Sequence, residues 1–172
     1  AIFSELDLSP LVLGALEVLG FETPTPIQAK ALPHGLAGRD VIGQAQTGTG
    51  KTLAFGLPLV ESMDATRRAA QSLVLCPTRE LAQQVAEALE PVAQARELQV
   101  VLLVGGEKIR LQRPRIPGSQ IVVGTPGRIL DLLRESLLHL EWVSFLVLDE
   151  FDRMLDMGFI DDVSSIVRFL PA

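Results

Sequence analysis

Two short stretches, about a hundred residues apart, carry groups suited to chemistry at phosphate. The first is Gln44-Ala45-Gln46-Thr47-Gly48-Thr49-Gly50-Lys51-Thr52. Glycines at 48 and 50 let the backbone of 46–50 curl around an anion with its peptide N–H groups pointing inward and no Cβ in the way. A helix opening directly after such a loop adds its own unpaired N–H groups and positive dipole end. Lys51 is long enough to reach the β- and γ-phosphates of a nucleotide, and the Thr52 hydroxyl is placed to ligate Mg²⁺. Against the general pattern G-x-x-x-x-G-K-[ST] the chain differs at the first position, which is Ala45. A tight structural turn would explain the glycines, but it leaves Lys51 and Thr52 without a reason.

The second stretch is Leu146-Val147-Leu148-Asp149-Glu150-Phe151-Asp152, an apolar run that ends in three carboxylates. An aspartate at a strand end is what a phosphate loop needs as a second Mg²⁺ anchor, and Asp149 fits that part. Glu150 can orient or deprotonate an attacking water. The plainer alternative is an acid-rich first turn of a helix, because Asp and Glu favour the positive dipole end. Nothing in the sequence pattern alone gives Asp152 a phosphate or a metal.

The elements that must hold these groups in place read as alternating strands and helices. Asp40-Val41-Ile42-Gly43 is a short apolar run before the glycine loop, and residues 52–63 continue after the loop with a helical pattern. Ser72 to Cys76 is a strand-like run before a helix over Arg79 to Arg96, in which Leu81, Val85, Leu89 and Val92 share one face. Pro91 inside that helix predicts a kink or a restart. Gln99 to Val104, Ile121 to Val123 and Val143 to Leu148 read as strands buried on both faces. Together these predict one α/β domain with a mainly parallel sheet flanked by helices, its ligands at the carboxyl ends of the strands.

Composition narrows the function classes. A chain of 172 residues with 48% hydrophobic and 21% charged residues is globular rather than disordered. Cys76 stands alone, so no internal disulfide and no cysteine-based zinc site is expected, and two histidines leave little for a histidine cage. No apolar run approaches the ~20 residues that span a bilayer, and no basic-then-apolar leader opens the sequence. A cytoplasmic protein without a membrane partner is the expectation. The net charge of −6 looks wrong for a nucleic-acid binder, but it is unevenly spread. From Asp149 to Asp162 six carboxylates face Arg153 alone, whereas from Gly105 to Arg134 six basic residues face only Glu107 and Asp131. Binding responds to the local field, which a Debye length of ~8 Å separates from distant charge. For any single arginine the ordinary alternative is a solvated surface.

Further motifs give the chain a family likeness. Phe3 together with Gly20-Phe21-Glu22-Thr23-Pro24-Thr25-Pro26-Ile27-Gln28 resembles the adenine-reading Q motif of DEAD-box RNA helicases. Ala45 to Thr52 is similar to that family's motif I, which begins with alanine and so accounts for the mismatch at that position. Pro77-Thr78-Arg79-Glu80-Leu81-Ala82 resembles motif Ia, Gly105-Gly106 the GG motif, Thr125-Pro126-Gly127-Arg128 motif Ib, and Asp149-Glu150-Phe151-Asp152 motif II. Their order and spacing agree over nearly the whole chain.

The resemblance implies a RecA-like P-loop NTPase fold, with ATP and Mg²⁺ at one edge of the sheet and single-stranded or duplex RNA across its top. Gln28 would read the adenine edge, because a primary amide donates and accepts together. Phe21 or Phe3 would supply an apolar surface and Thr23 a backbone contact. Motif I would bind the phosphates through Gln46, Thr47, Gly48, Thr49, Gly50, Lys51 and Thr52. Lys51, Asp149, Glu150 and Asp152 would form the catalytic set, with the metal on Thr52 and Asp149. RNA would meet Pro77, Thr78, Arg79, Gly105, Gly106, Thr125, Pro126, Gly127 and Arg128, which are small or basic groups able to approach phosphates and 2′-hydroxyls without reading bases. Simple turn formation is the alternative for Gly105.

Two departures from the family pattern stand out. Phe151 occupies the alanine position of motif II, so a phenyl ring must find room beneath the nucleotide or project from it. The sequence also ends at Leu170-Pro171-Ala172, ahead of any Ser-Ala-Thr motif III. Residues 1–172 are therefore expected to be the N-terminal RecA-like domain of a longer protein, with a second RecA-like domain as partner. Hydrolysis and local duplex unwinding would need both domains. An RNA-binding pseudo-ATPase and a DNA-directed translocase of the same superfamily are the alternatives.

Overall fold

The structure, a computed structural model, describes residues 52, 56 and 59–171 in full and the backbone of 41–45. Among these residues the sheet has five strands: β1 (Val41–Ala45), β2 (Ser72–Leu75), β3 (Val100–Leu103), β4 (Ile121–Gly124) and β5 (Phe145–Asp149). All pairings are parallel, in the spatial order β1-β5-β2-β4-β3. The helices are α1 (Arg79–Ala95), α2 (Ile109–Gln112), α3 (Pro126–Arg134), α4 (Phe151–Asp156) and α5 (Ile160–Val167). Thr52, Gly56 and residues 59–62 are also helical, in keeping with a helix after the glycine loop.

Val, Leu and Ile fill β2, β4 and β5 because these strands lie in the middle of the sheet with both faces covered. Leu73, Val74, Ile121, Val122, Val123, Leu146 and Val147 are fully buried. Such runs cannot show period-two alternation, since neither face meets water. Helix α1 packs on β3 and β4, α4 lies against β1, and α3 packs against α5.

Two local expectations are corrected. Helix α1 runs as one element through Pro91, so of the kink or restart expected there the restart does not occur. Pro91 and Glu87, whose carbonyl loses its partner to the missing N–H, both lie on the exposed face, where water can satisfy that carbonyl. The first strand runs on to Ala45 instead of stopping at Gly43. Its register with β5 shifts between Ile42 and Ala45, an irregularity that bends a strand and re-aims the chain leaving it. Ala45 thus belongs to the strand end from which the glycine loop departs.

Candidate functional site

Parallel pairing brings every strand's carboxyl end to one rim. Ala45 is paired with Asp149, Leu75 with both Leu148 and Gly124, and Leu103 with Gly124. Backbone bonds continue this lacing one residue further, from Cys76 N–H to the Gly124 carbonyl (2.9 Å) and from Thr125 N–H to the Leu103 carbonyl (3.2 Å). The Ala45–Asp149 pairing sets the acidic strand end beside the start of the 46–51 segment, which sequence distance alone cannot do.

Asp149 is 2% exposed, and its Oδ1 has no hydrogen-bond partner among the described residues. Burial pushes its carboxyl up to about 7, the neighbouring Glu150 charge adds to this, and a bond from the Glu150 N–H opposes it. A buried carboxylate with an orphaned oxygen is what a cation site needs, because the cation offsets the cost of keeping the charge out of water. Thr52, itself buried, supplies a hydroxyl from the helix after the loop. These two residues fit a hard divalent ion in donor type. Among the described residues there is no cluster of three or more His, Cys, Asp or Glu that could enclose a metal without further ligands.

Glu150 adopts the left-handed conformation (φ 50°, ψ 52°), which costs a non-glycine residue about 1–2 kcal/mol. This single residue turns the chain from the end of β5 into α4, so the two acids leave the backbone in different settings. Asp149 is buried, whereas the Glu150 side chain keeps 17% of its surface and lies 3.7 Å from Arg153 Nη1. Neither the strain nor Arg153 is legible in the motif. Asp152 sits exposed in the first turn of α4. Phe151 has found room: its ring is 1% exposed and among the largest fully buried side chains. Cys76, next to this acidic strand end, is fully buried, and burial together with the Asp149 and Glu150 charges pushes its thiol well up. It stays protonated and unreactive.

The RNA-side candidates gather on the same rim from the β2, β3 and β4 ends. The Thr78 Oγ1 accepts the Leu81 N–H (3.2 Å) as the cap of α1, which leaves its hydroxyl proton to donate elsewhere. Thr125 starts α3 without a side-chain capping bond. Arg79 is exposed, and Arg128 is half-buried. Pro77 and Pro126 are buried, so they shape the turns but offer a ligand little surface. A Cβ added at Gly105 or Gly127 would meet nothing within 4 Å, and neither has a positive φ. Turn formation therefore does not require glycine at 105, and the space above both positions is open to a ligand. Gly106 differs: its φ is +84°, and a Cβ there would lie 2.7 Å from Arg79 Nη1. Phe21, Thr23, Gln28, Gln46, Thr47, Gly48, Thr49, Gly50 and Lys51 lie outside the described residues.

No helix among the described residues is long and apolar enough to cross a membrane. The DEAD/DEAH box helicase family model matches residues 25–172. The chain is 52% identical over 171 residues to the ATP-dependent RNA helicase DeaD of Haemophilus influenzae, covering 98% of this chain and 28% of that protein. It is 50% identical over 171 residues to the DEAD-box ATP-dependent RNA helicase CshA of Geobacillus kaustophilus, covering 99% of this chain and 37% of that one. A DEAD box protein from the hyperthermophile Methanococcus jannaschii matches in structure with a TM-score of 0.71 at 41% identity, over 99% of this chain and 47% of its own. Saccharomyces cerevisiae Dbp5 bound to RNA and ADP BeF3 matches with a TM-score of 0.67 at 37% identity, over 98% and 43%. The chain thus spans about a third of the curated relatives' length, its fold is the RecA-like one of these neighbours, and the β1 end at Ala45 and the acidic β5 end at Asp149 meet on one rim. On this sequence match, fold and rim, the chain belongs to the DEAD/DEAH box helicase family.

Proposed function

We propose that residues 1–172 are the ATP- and RNA-binding first RecA-like domain of a cytoplasmic ATP-dependent RNA helicase. The observation that supports this most is the pairing of Ala45 with Asp149, which sets a buried carboxylate with an orphaned oxygen next to the strand end that precedes the glycine-rich 46–50 segment in the sequence. The backbone of 46–50 and the Lys51 amine would hold the β- and γ-phosphates, and Gln28 would select adenine, with Phe21 and Thr23 beside it. Thr52 and Asp149 would hold Mg²⁺, which when bound neutralises charge developing on the phosphate oxygens. Glu150 would orient a water and accept its proton as the water oxygen bonds to the γ-phosphorus and the bond to the β-phosphate oxygen breaks. ADP and inorganic phosphate leave. Asp152, on the exposed turn beside Glu150, completes the acidic set.

On the other part of the rim, Thr78, Arg79, Gly105, Gly106, Thr125, Gly127 and Arg128 would line a single strand, binding sugar and phosphate rather than base edges. Pro77 and Pro126 would keep the turns in shape. A second RecA-like domain of the same protein would supply the arginine that stabilises the transition state, a contribution of about 10³–10⁵ in rate. The 172-residue chain alone is therefore expected to bind nucleotide and to hydrolyse it negligibly. Titration of fluorescent N-methylanthraniloyl-ADP with Mg²⁺ into this chain tests the reading: wild type binds, and Lys51→Ala does not. Equal affinity of the two would place the phosphates elsewhere and overturn the assignment.

A further inference from the structure

Gln112 lies outside the motif residues named above, yet it is 4% exposed and both ends of its amide are engaged. Its Nε2 donates to the Val104 carbonyl (3.1 Å) and to Glu107 Oε2 (3.0 Å). Its Oε1 accepts from Arg128 Nη1 (3.0 Å), and Arg128 Nη2 donates to the Glu107 carbonyl (3.0 Å). These four bonds join the end of β3, the loop after it and the first turn of α3. A methionine would fill the same volume without a polar group to satisfy, so burying an amide here is worthwhile only for what it bonds.

Among the described residues, two of the five guanidinium N–H groups of Arg128 are engaged, which leaves three for an anion. A planar fork held at two points cannot swing, which preorganises the remaining donors. The same loop seats a second arginine. Gly106 lies so close under the Arg79 guanidinium that a Cβ would come within 2.7 Å of Nη1. A displaced loop therefore moves the surface under Arg79 as well as the acceptor of Arg128.

We infer that Gln112 is a positioning residue for nucleic-acid binding: it clamps the 105–107 loop and fixes the Arg128 fork, so that a strand's phosphates meet donors already in place. The inference rests on the reading that this rim binds RNA. It extends that reading to a residue that would not itself touch the strand.

The test uses the 172-residue chain and a fluorescein-labelled single-stranded decauridylate, read by anisotropy, with Gln112→Met as the volume-preserving variant. The RNA Kd should rise about tenfold, the size of one misaligned charge-assisted contact. The Mg²⁺–N-methylanthraniloyl-ADP Kd should stay within about twofold, and in an Arg128→Ala background Gln112→Met should add less than about twofold to the RNA Kd. A merely structural glutamine would instead weaken both ligands, or add its full effect in that background, and either outcome overturns the inference. A normal loss for Arg128→Ala with Gln112→Met indistinguishable from wild type overturns the inference alone. Wild type and Arg128→Ala binding the strand equally overturns the RNA-binding reading, and the inference with it. Should Gln112→Met fail to fold, Glu107→Ala at its exposed position carries the test by hydrogen exchange. Faster exchange of the 105–108 amides is then expected, and unchanged exchange overturns the clamp.

Discussion

Replacing Asp149 by asparagine removes a charge that the fold itself disfavours. The carboxyl is buried, and its pKa is raised from 3.8 to about 7, chiefly by loss of water and then by Glu150. A carboxyl whose folded pKa lies above its unfolded value stabilises the fold in its protonated form. That stability is complete below 3.8, falls as pH rises toward about 7 and is lost above it. Integrating between these two pKa values, the wild-type chain loses about 2–3 kcal/mol from about pH 5 to about pH 8 through this one group, and the asparagine variant does not. Urea unfolding of both proteins at the two pH values reads the difference, because the groups not coupled to this carboxyl titrate alike in the pair. Asp149→Asn should be the more stable chain at the higher pH, and its advantage should shrink at the lower one. It should also lose the stabilisation that Mg²⁺–ADP gives wild type, since the variant's amide lacks the charge a divalent ion needs. A stability difference that does not change with pH would refute the reasoning.

Neighbouring positions give sharper contrasts. Gly105→Ala should leave urea stability within about 0.5 kcal/mol while weakening binding of labelled decauridylate, because the added methyl fills only open space on the rim. Gly106→Ala should lower both, by about 1–2 kcal/mol in stability, since it strains a positive φ and pushes against the Arg79 guanidinium. Glu150→Gly should raise stability by about 1 kcal/mol by relieving the left-handed backbone, and should abolish ATP turnover in a protein carrying both helicase domains, measured by phosphate release. Phe151→Ala restores the family's motif II sequence but should cost about 3 kcal/mol in urea unfolding, because it empties a fully buried ring site.

The motif residues were legible because their chemistry is local. Lys51 and Thr52 after a glycine loop, and carboxylates after an apolar run, carry their meaning in a few adjacent positions. The buried strands were legible for a related reason: continuous runs such as those of β2, β4 and β5 are readable wherever both faces of a strand are covered. Pro91 did not restart the helix, because whether a proline breaks a helix depends on where the freed carbonyl faces, and here Glu87 lies on the exposed face. Gln112 was silent, because a glutamine in a polar stretch reads as surface until its partners are placed around it.

By itself, then, the sequence determined the donor types, their order along the chain and the α/β class, since each depends on covalent neighbours and hydrophobic pattern. The tertiary structure decided the strand order β1-β5-β2-β4-β3, the meeting of Ala45 with Asp149, the left-handed turn at Glu150 and the burial of Gln112 beside Arg128. The strand order and the Ala45–Asp149 meeting rest on contacts between segments tens of residues apart, whose energies depend on shared burial and register, and no short window along the chain contains both partners.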